Sequence, residues 1–166
     1  MDYDEAASYW EKQDAKAKRM DRDALMAKAE EFLAAHNTCA LATGHGGQVR
    51  CTPIEYTYRQ GCFWLLSEGG EKFRNLKENS SVCLAIYDGY GGFGALAGMQ
   101  ITGRAQMVEP WSEPYRELLR FKKVPEEALR GLNHPIYLIQ ITPSRIEFLH
   151  SDFKKLGFSV RQRLEL

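Results

Sequence analysis

No apolar run in this sequence approaches the roughly 18 residues that a membrane-spanning helix requires, so a helical span is excluded. The opening stretch also lacks a basic segment followed by an apolar one, since Asp2, Asp4, Glu5 and Glu11 stand there instead. The expectation is a cytoplasmic protein with no membrane partner. Excess charge is missing as well. Lys and Arg number 22 against 22 Asp and Glu, and gripping a nucleic-acid backbone needs clustered surplus cations, so no nucleic-acid partner is expected. Cys39, Cys51, Cys62 and Cys83 form no C-x-x-C pair, and each lies in an apolar, strand-like stretch, which predicts buried free thiols. His36, His45, His134 and His150 are scattered without metal-ligand spacing, and no metal is expected. What remains is 166 residues, 44% hydrophobic and 27% charged, enough for one domain with a core of its own.

Charge density divides the chain. Residues 1–31 carry 15 charged side chains and residues 37–103 only 10, which places the core in the middle. Tyr3, Ala6, Ala7 and Trp10 recur at helical spacing, and Ser8 with Glu11 fits a capping box. A second helix follows, with Asp21 or Asp23 as its cap and Leu25, Ala29, Phe32, Leu33 and His36 on one face. From Thr38 the period becomes that of strands: 38–43, 48–59, 62–67, 82–88, 98–109, 135–142 and 144–150. His45-Gly46-Gly47 and Gln60-Gly61 read as hairpin turns. Short helices are predicted over 71–79, with Phe73 and Leu76 inward, and over 112–130, with Tyr115, Leu118, Leu119 and Leu129 as the apolar set. The pattern predicts a mainly β fold with flanking helices (α+β). Its short antiparallel strands close, or partly close, into a small barrel, since closure removes exposed edges. Residues 1–20 read as a helical extension, 21–150 as the barrel domain and 151–166 as a tail.

Gly89-Tyr90-Gly91-Gly92-Phe93-Gly94 fits G-x-G-x-x-G after an apolar strand. A dinucleotide fingerprint also needs a following helix in a parallel βαβ unit, whereas Gly98 to Glu109 reads as a strand. The segment is expected as a loop, with Tyr90 and Phe93 near the mouth of a binding site in one reading. The more informative stretch runs from Ser67 to Lys77, where a strand ends in Gly69-Gly70 and a short helix opens. Free backbone N–H groups, Ser67, Lys72 and Arg74 could surround a phosphate there; a helix start with solvated charges is the alternative. Trp10, Trp64 and Trp111 read as core or interface residues. Lys154, Lys155, Arg161 and Arg163 read as a solvated basic tail, or as a cover for an anionic ligand.

Helix, TCALAT, glycine turn, VRCTPIEYTY, GCFWLLS, GGEKFRNL, NSSVCLAIYD and QITGRAQMVE occur in an order that resembles the FMN-binding split barrels of the pyridoxamine 5′-phosphate oxidase superfamily. The resemblance spans roughly residues 22–150. It implies a six-stranded antiparallel split β-barrel, a homodimer and FMN held at the dimer interface. By this resemblance Arg50 faces the phosphate, while Thr52, Pro53 and Ile54 run beside the flavin ring. Ser67 and Lys72 match a hydroxyl and a lysine on the phosphate, and Gln100 matches a glutamine by the ring. Arg50, Thr52, Ile54 and Tyr56 share one face by alternation, and Pro53 suits an edge strand. The oxidases proper carry Arg-Lys where this chain has Glu71-Lys72, so one phosphate cation is lost unless Arg74 replaces it from a turn away. Glu55 stands where those oxidases keep a basic residue. Their C-terminal substrate motif, an arginine two residues before a histidine, is absent around His150, so pyridoxamine phosphate is not the expected substrate. The implied activity is an FMN-dependent oxidoreductase acting on a small substrate or with a reduced nicotinamide donor. The alternative is a flavin- or haem-binding barrel for storage or sensing.

Overall fold

Two short acidic caps start the chain. In the computed structural model, which describes residues 2–166, the Asp2 carboxylate accepts from the backbone N–H groups of Asp4 and Glu5 and opens α1 (Tyr3–Asp14). Ser8, expected as a cap, lies inside that helix and donates to the Glu5 carbonyl at 3.0 Å. Asp21 caps α2 (Arg22–Ala35) by accepting from Asp23 and Ala24. Leu25, Ala29, Phe32 and Leu33 are its buried face, whereas α1 buries no side chain at all.

All strand pairings are antiparallel. The strands are β1 (Thr38–His45), β2 (Gln48–Glu55), β3 (Thr57–Arg59), β4 (Cys62–Ser67), β5 (Ser81–Tyr87), β6 (Ala97–Val108), β7 (Tyr137–His150) and β8 (Arg161–Glu165). They follow the order β2-β1-β5-β6-β7-β4-β3, with β8 also paired to β7. The two expected hairpin turns are both present. Gly46 and Gly47 (φ +55° and +82°), and Gln60 and Gly61 (φ +54° and +72°), supply the two positive φ values that the commonest two-residue turn demands. The glycine-rich loop 88–96 leads into a strand antiparallel to β5, so the dinucleotide fingerprint has no helix behind it.

The fold is a mainly antiparallel sheet curled into a half-barrel with flanking helices, with eight strands rather than six. Three departures take the seven strands read from the sequence pattern to these eight. The stretch read as one strand, 48–59, breaks at Tyr56. That side chain turns inward, is 4% exposed and donates its hydroxyl to the Leu33 carbonyl at 2.8 Å. The two strands read over 135–150 are one, β7, which runs through Pro143 at a register shift opposite Gly103. Residues 151–166 do not trail off: a 3₁₀ turn (Ser151–Leu156) leads into β8.

β7 is the hinge of the curl. Its first half, Tyr137–Ile141, pairs with β4, and its second half, from Arg145 to Leu149, pairs with β8. The inward row Leu41, Leu84, Ile101, Ile146 and Leu164 crosses five strands and is at most 3% exposed. Burial of each such side chain stabilises the fold by ~1.5–3 kcal/mol. α2 closes the inner face. On the other side of β4 and β7, α4 (Glu113–Lys122) buries Tyr115, Leu118 and Leu119 against Leu138, with Leu129 of α5 (Glu126–Arg130) half-buried beside them. No described helix is long and apolar enough to cross a membrane.

All four cysteines are free, but only Cys39 is buried; Cys62 and Cys83 are half-buried and Cys51 is exposed. The correction follows from topology, because Cys51 lies on the outer face of the edge strand β2, in one row with Ala42 and Cys83 and away from the core. Burial pushes the Cys39 thiol up to about 12. The thiolate is the reactive form. A disulfide reagent at neutral pH should therefore leave Cys39 unlabelled until the protein unfolds, as mass mapping of labelled peptides would show.

Candidate functional site

β4 delivers Ser67 to the rim of the barrel, and the chain reverses there through Gly69 (φ +132°) and Gly70 (φ +104°). The Ser67 hydroxyl accepts from the Gly69 N–H at 3.2 Å and faces its carbonyl at 3.3 Å. Lys72 opens α3 (Lys72–Glu78) and folds back, so that Nζ donates to the same Gly69 carbonyl. It is 7% exposed. Burial alone holds its ammonium below the usual lysine value. The group has carbonyl oxygen on one side and the Phe73 ring at 5.2 Å on another, and among the described residues no carboxylate pairs with it.

One turn along α3, Asn75 is 3% exposed and donates to both the carbonyl and the Oγ1 of Thr43, at 3.2 Å each. Thr43 is the ladder partner of Arg50 on β2. Asn75 therefore fastens the α3 turn to the strand pair that carries Arg50. Thr52 and Ile54 follow Arg50 on the same face, both half-buried, with Ile54 packed against the core. Neither Thr43 nor Asn75 was singled out in the sequence, although Asn75, three residues after Lys72, shares its helix face. Phe73 and Leu76, expected as the inward pair of α3, are half-buried, and the buried positions belong to Lys72 and Asn75. Arg74 is exposed and pairs with Glu71 at 3.3 Å.

Pro53 and Gln100 lie elsewhere. The cross-strand row Pro53, Ala40, Ala85, Gln100, Glu147 and Arg163 belongs to the outer face of the sheet, opposite the face that carries Arg50 and Thr52. Gln100 lines a cleft of about 520 Å³ there, bounded by α1, the 88–96 loop and β5 to β8. Tyr90 lines the cleft and Phe93 touches Tyr90 edge to face, so the glycine-rich loop does sit at a mouth. Trp10 also lines it, beneath the Arg161 guanidinium. Nothing in the sequence could bring Trp10, Gln100 and Arg161 together, because three distant segments supply them.

The inner cluster can take an anion, since a buried ammonium and a hydroxyl meet at the Gly69 carbonyl and Asn75 ties this turn to the strand pair that carries the exposed Arg50. The outer cleft can take an aromatic group. The family model of pyridoxamine 5′-phosphate oxidase matches residues 25–150. Among solved structures, a Listeria innocua protein named for pyridoxamine 5′-phosphate oxidase superposes with a TM-score of 0.59 at 23% identity, covering 75% of this chain and 98% of its own. HutZ, the haem storage protein of Vibrio cholerae, gives 0.60 at 21%, covering 70% and 88%. An FAD-binding protein of Mesorhizobium loti gives 0.59 at 19%, covering 73% and 89%. These likenesses show the fold. No curated protein sequence matches the chain.

Proposed function

Because the chain belongs to the pyridoxamine 5′-phosphate oxidase family, we propose that it is an FMN-binding flavoprotein, an oxidoreductase that works as a homodimer on a small substrate or with a reduced nicotinamide donor. The observation that carries this reading is Lys72: a buried ammonium with no carboxylate partner among the described residues, beside the Ser67 hydroxyl and the Gly69-Gly70 turn. A buried unpaired cation is costly, and a phosphate monoester is the kind of group that would offset the cost. Ser67, Lys72 and Arg50 would hold the phosphate, and Thr52 and Ile54 would border the ring. Arg74, occupied by Glu71, is the weakest member of the set. When bound, the flavin supplies hydride chemistry that no side chain here can provide.

Gln100 and Pro53 face away from Lys72, so one chain does not present all eight residues to one ligand. A second copy resolves this. The outer face carries the small, half-exposed residues Ala40, Ala42, Cys83 and Ala85, with exposed Cys51 in the same rows. Small side chains let two sheets approach closely. The site is thus completed at a dimer interface, where Gln100 of one copy serves the phosphate turn of the other.

The test is an absorbance spectrum of protein purified without added cofactor. Heat-released ligand is then run against FMN, FAD and haem standards, and the mass in solution is measured by light scattering. Flavin bands, FMN on the column and a dimer are the expected result. A Soret band would favour storage of haem, the reading that the likeness to HutZ supports. A colourless protein that ignores added FMN would overturn both.

A further inference from the structure

We infer that a cleft between α2 and the end of β7 is a separate ligand site, one that takes a small aromatic carboxylate with His150 Nε2–H as the donor to it. The cleft holds about 460 Å³, in the range of small-molecule sites. Phe32 and Ala35 of α2, Phe148 and His150 of β7, and Phe153 and Leu156 of the 3₁₀ turn wall it. It is distinct from both the phosphate turn and the proposed dimer face. β7 begins at Tyr137, the ladder partner of Ser67, and ends at His150, so the cleft lies at the opposite end of that strand from Lys72. Phe148 and His150 alternate with Glu147 and Leu149, which puts them on the face opposite the row of Gln100.

Buried rings form the floor. Phe148 lies 5.1 Å from Phe32 and meets Phe153 edge to face at 5.0 Å, and all three are buried. The His150 ring, 5.3 Å from Phe153 and 5.7 Å from Phe148, is half-buried where this floor meets water. His150 also caps the 3₁₀ turn, because its Nδ1 accepts from the Asp152 N–H at 3.2 Å. A ring nitrogen that accepts carries no proton. The cap therefore places the N–H at Nε2, and among the described residues Nε2 has no partner. The backbone holds the ring in position: His150 N–H donates to the Val160 carbonyl at 2.9 Å, and Ser151 N–H to the Leu96 carbonyl at 2.8 Å.

The charges at the mouth narrow the ligand. Lys28 pairs with Glu31 at 2.9 Å and Lys155 with Asp152 at 2.6 Å, each pair within one element. Hydrogen bonds from these lysines hold the Glu31 and Asp152 carboxyls below their usual values, so both are ionised and already engaged. A cationic ligand would find those carboxylates taken and would face the His150 donor. A wholly apolar ligand would cover Nε2–H without giving it an acceptor, which is costly. A carboxylate answers that donor, and exposed ion pairs contribute so little that either lysine can swing on its flexible stem to the new anion. Aromatic rather than alkyl character follows from the floor, where edges and faces of four rings are already set for a further ring.

The experiment is a calorimetric titration of 2-naphthoate into the full-length protein, with and without excess FMN. Saturable one-site binding is expected, unchanged by FMN and by Lys72→Ala. His150→Phe keeps a ring and removes the donor, and should weaken binding by about tenfold or more. Ala35→Trp, at the exposed last residue of α2, fills the mouth without altering a buried position and should weaken binding at least as much, with an unchanged melting temperature. It reports even if the loss of the His150 cap unfolds the other variant. 2-Naphthalenemethanol, the same ring system without the charge, should bind about tenfold or more weakly. Absence of saturable heat overturns the proposal, as does binding that survives Ala35→Trp or is displaced by FMN. Equal binding of 2-naphthalenemethanol would overturn the carboxylate, and equal or tighter binding of octanoate would overturn the aromatic ring.

Discussion

Replacing Lys72 with alanine lowers FMN affinity by about tenfold to a hundredfold, the equivalent of ~1.5–3 kcal/mol for one hydrogen bond to a charged partner. The size follows from burial. An exposed lysine on a phosphate is screened and contributes little, whereas Lys72 is 7% exposed and already aimed by its bond to the Gly69 carbonyl. The same burial gives the ligand-free protein a pH signature. The folded pKa of Lys72 lies below its unfolded value. Between the two values the unfolded chain binds a proton that the fold does not, so stability rises with pH through that window and is lost as pH falls through it. Lys72→Met should flatten that rise and raise the melting temperature of the ligand-free protein while weakening FMN binding. A site built for a ligand at the expense of stability behaves this way. Fluorescence titration of FMN and melting curves at several alkaline pH values check the two halves. Unchanged FMN affinity in Lys72→Ala would remove the 67–72 turn from the cofactor site.

The parts of this architecture that were legible in the sequence are those decided locally. Gly46-Gly47 and Gln60-Gly61 announce hairpins because the turn itself needs those residues, and Asp21 announces α2 because the cap is a side chain reaching its own backbone. The parts that were not legible depend on partners far along the chain. Arg161 to Glu165 reads as a basic tail because alternate positions are charged. It becomes β8 since Leu164 and Gln162 turn inward while Arg163 and Glu165 stay in water. Gln162 is 2% exposed and polar, a position that hydrophobic patterning scores as surface. It is buried because its amide is satisfied by Lys18, Met20 and Ser159. Asn75 is the same case, a polar residue whose burial is licensed only by Thr43. The candidate site divides likewise. Ser67, Gly69, Gly70 and Lys72 are consecutive enough to be read as one turn, whereas which face of the sheet holds Gln100 is settled by register across strands.

Gly103→Ala should destabilise the protein by about 3 kcal/mol, the upper part of what a forced insertion into packed structure costs. An added Cβ would lie 2.6 Å from the Thr142 carbonyl oxygen, 3.1 Å from Ile141 Cγ2 and 3.2 Å from Pro143 Cα. The nearest of these is backbone on a strand that cannot swing aside, because β7 is paired to β6 along its length, to β4 on one half and to β8 on the other. Pro143 makes the close approach possible. It has no N–H to donate at the register shift, so β6 comes in against it and only hydrogen fits at Gly103. Because the two halves of the barrel are joined through this crossing, moving the strands apart disturbs the inward row of both. In a chain of this size the loss corresponds to a fall of roughly 6–12 °C in melting temperature. Gly89→Ala is the control: nothing lies within 4 Å of its added Cβ, and the change should stay within about 0.5 kcal/mol. Urea unfolding of both variants decides the point. A Gly103→Ala cost below about 1 kcal/mol would mean that β6 and β7 can separate freely, and that the crossing does not hold the half-barrel closed.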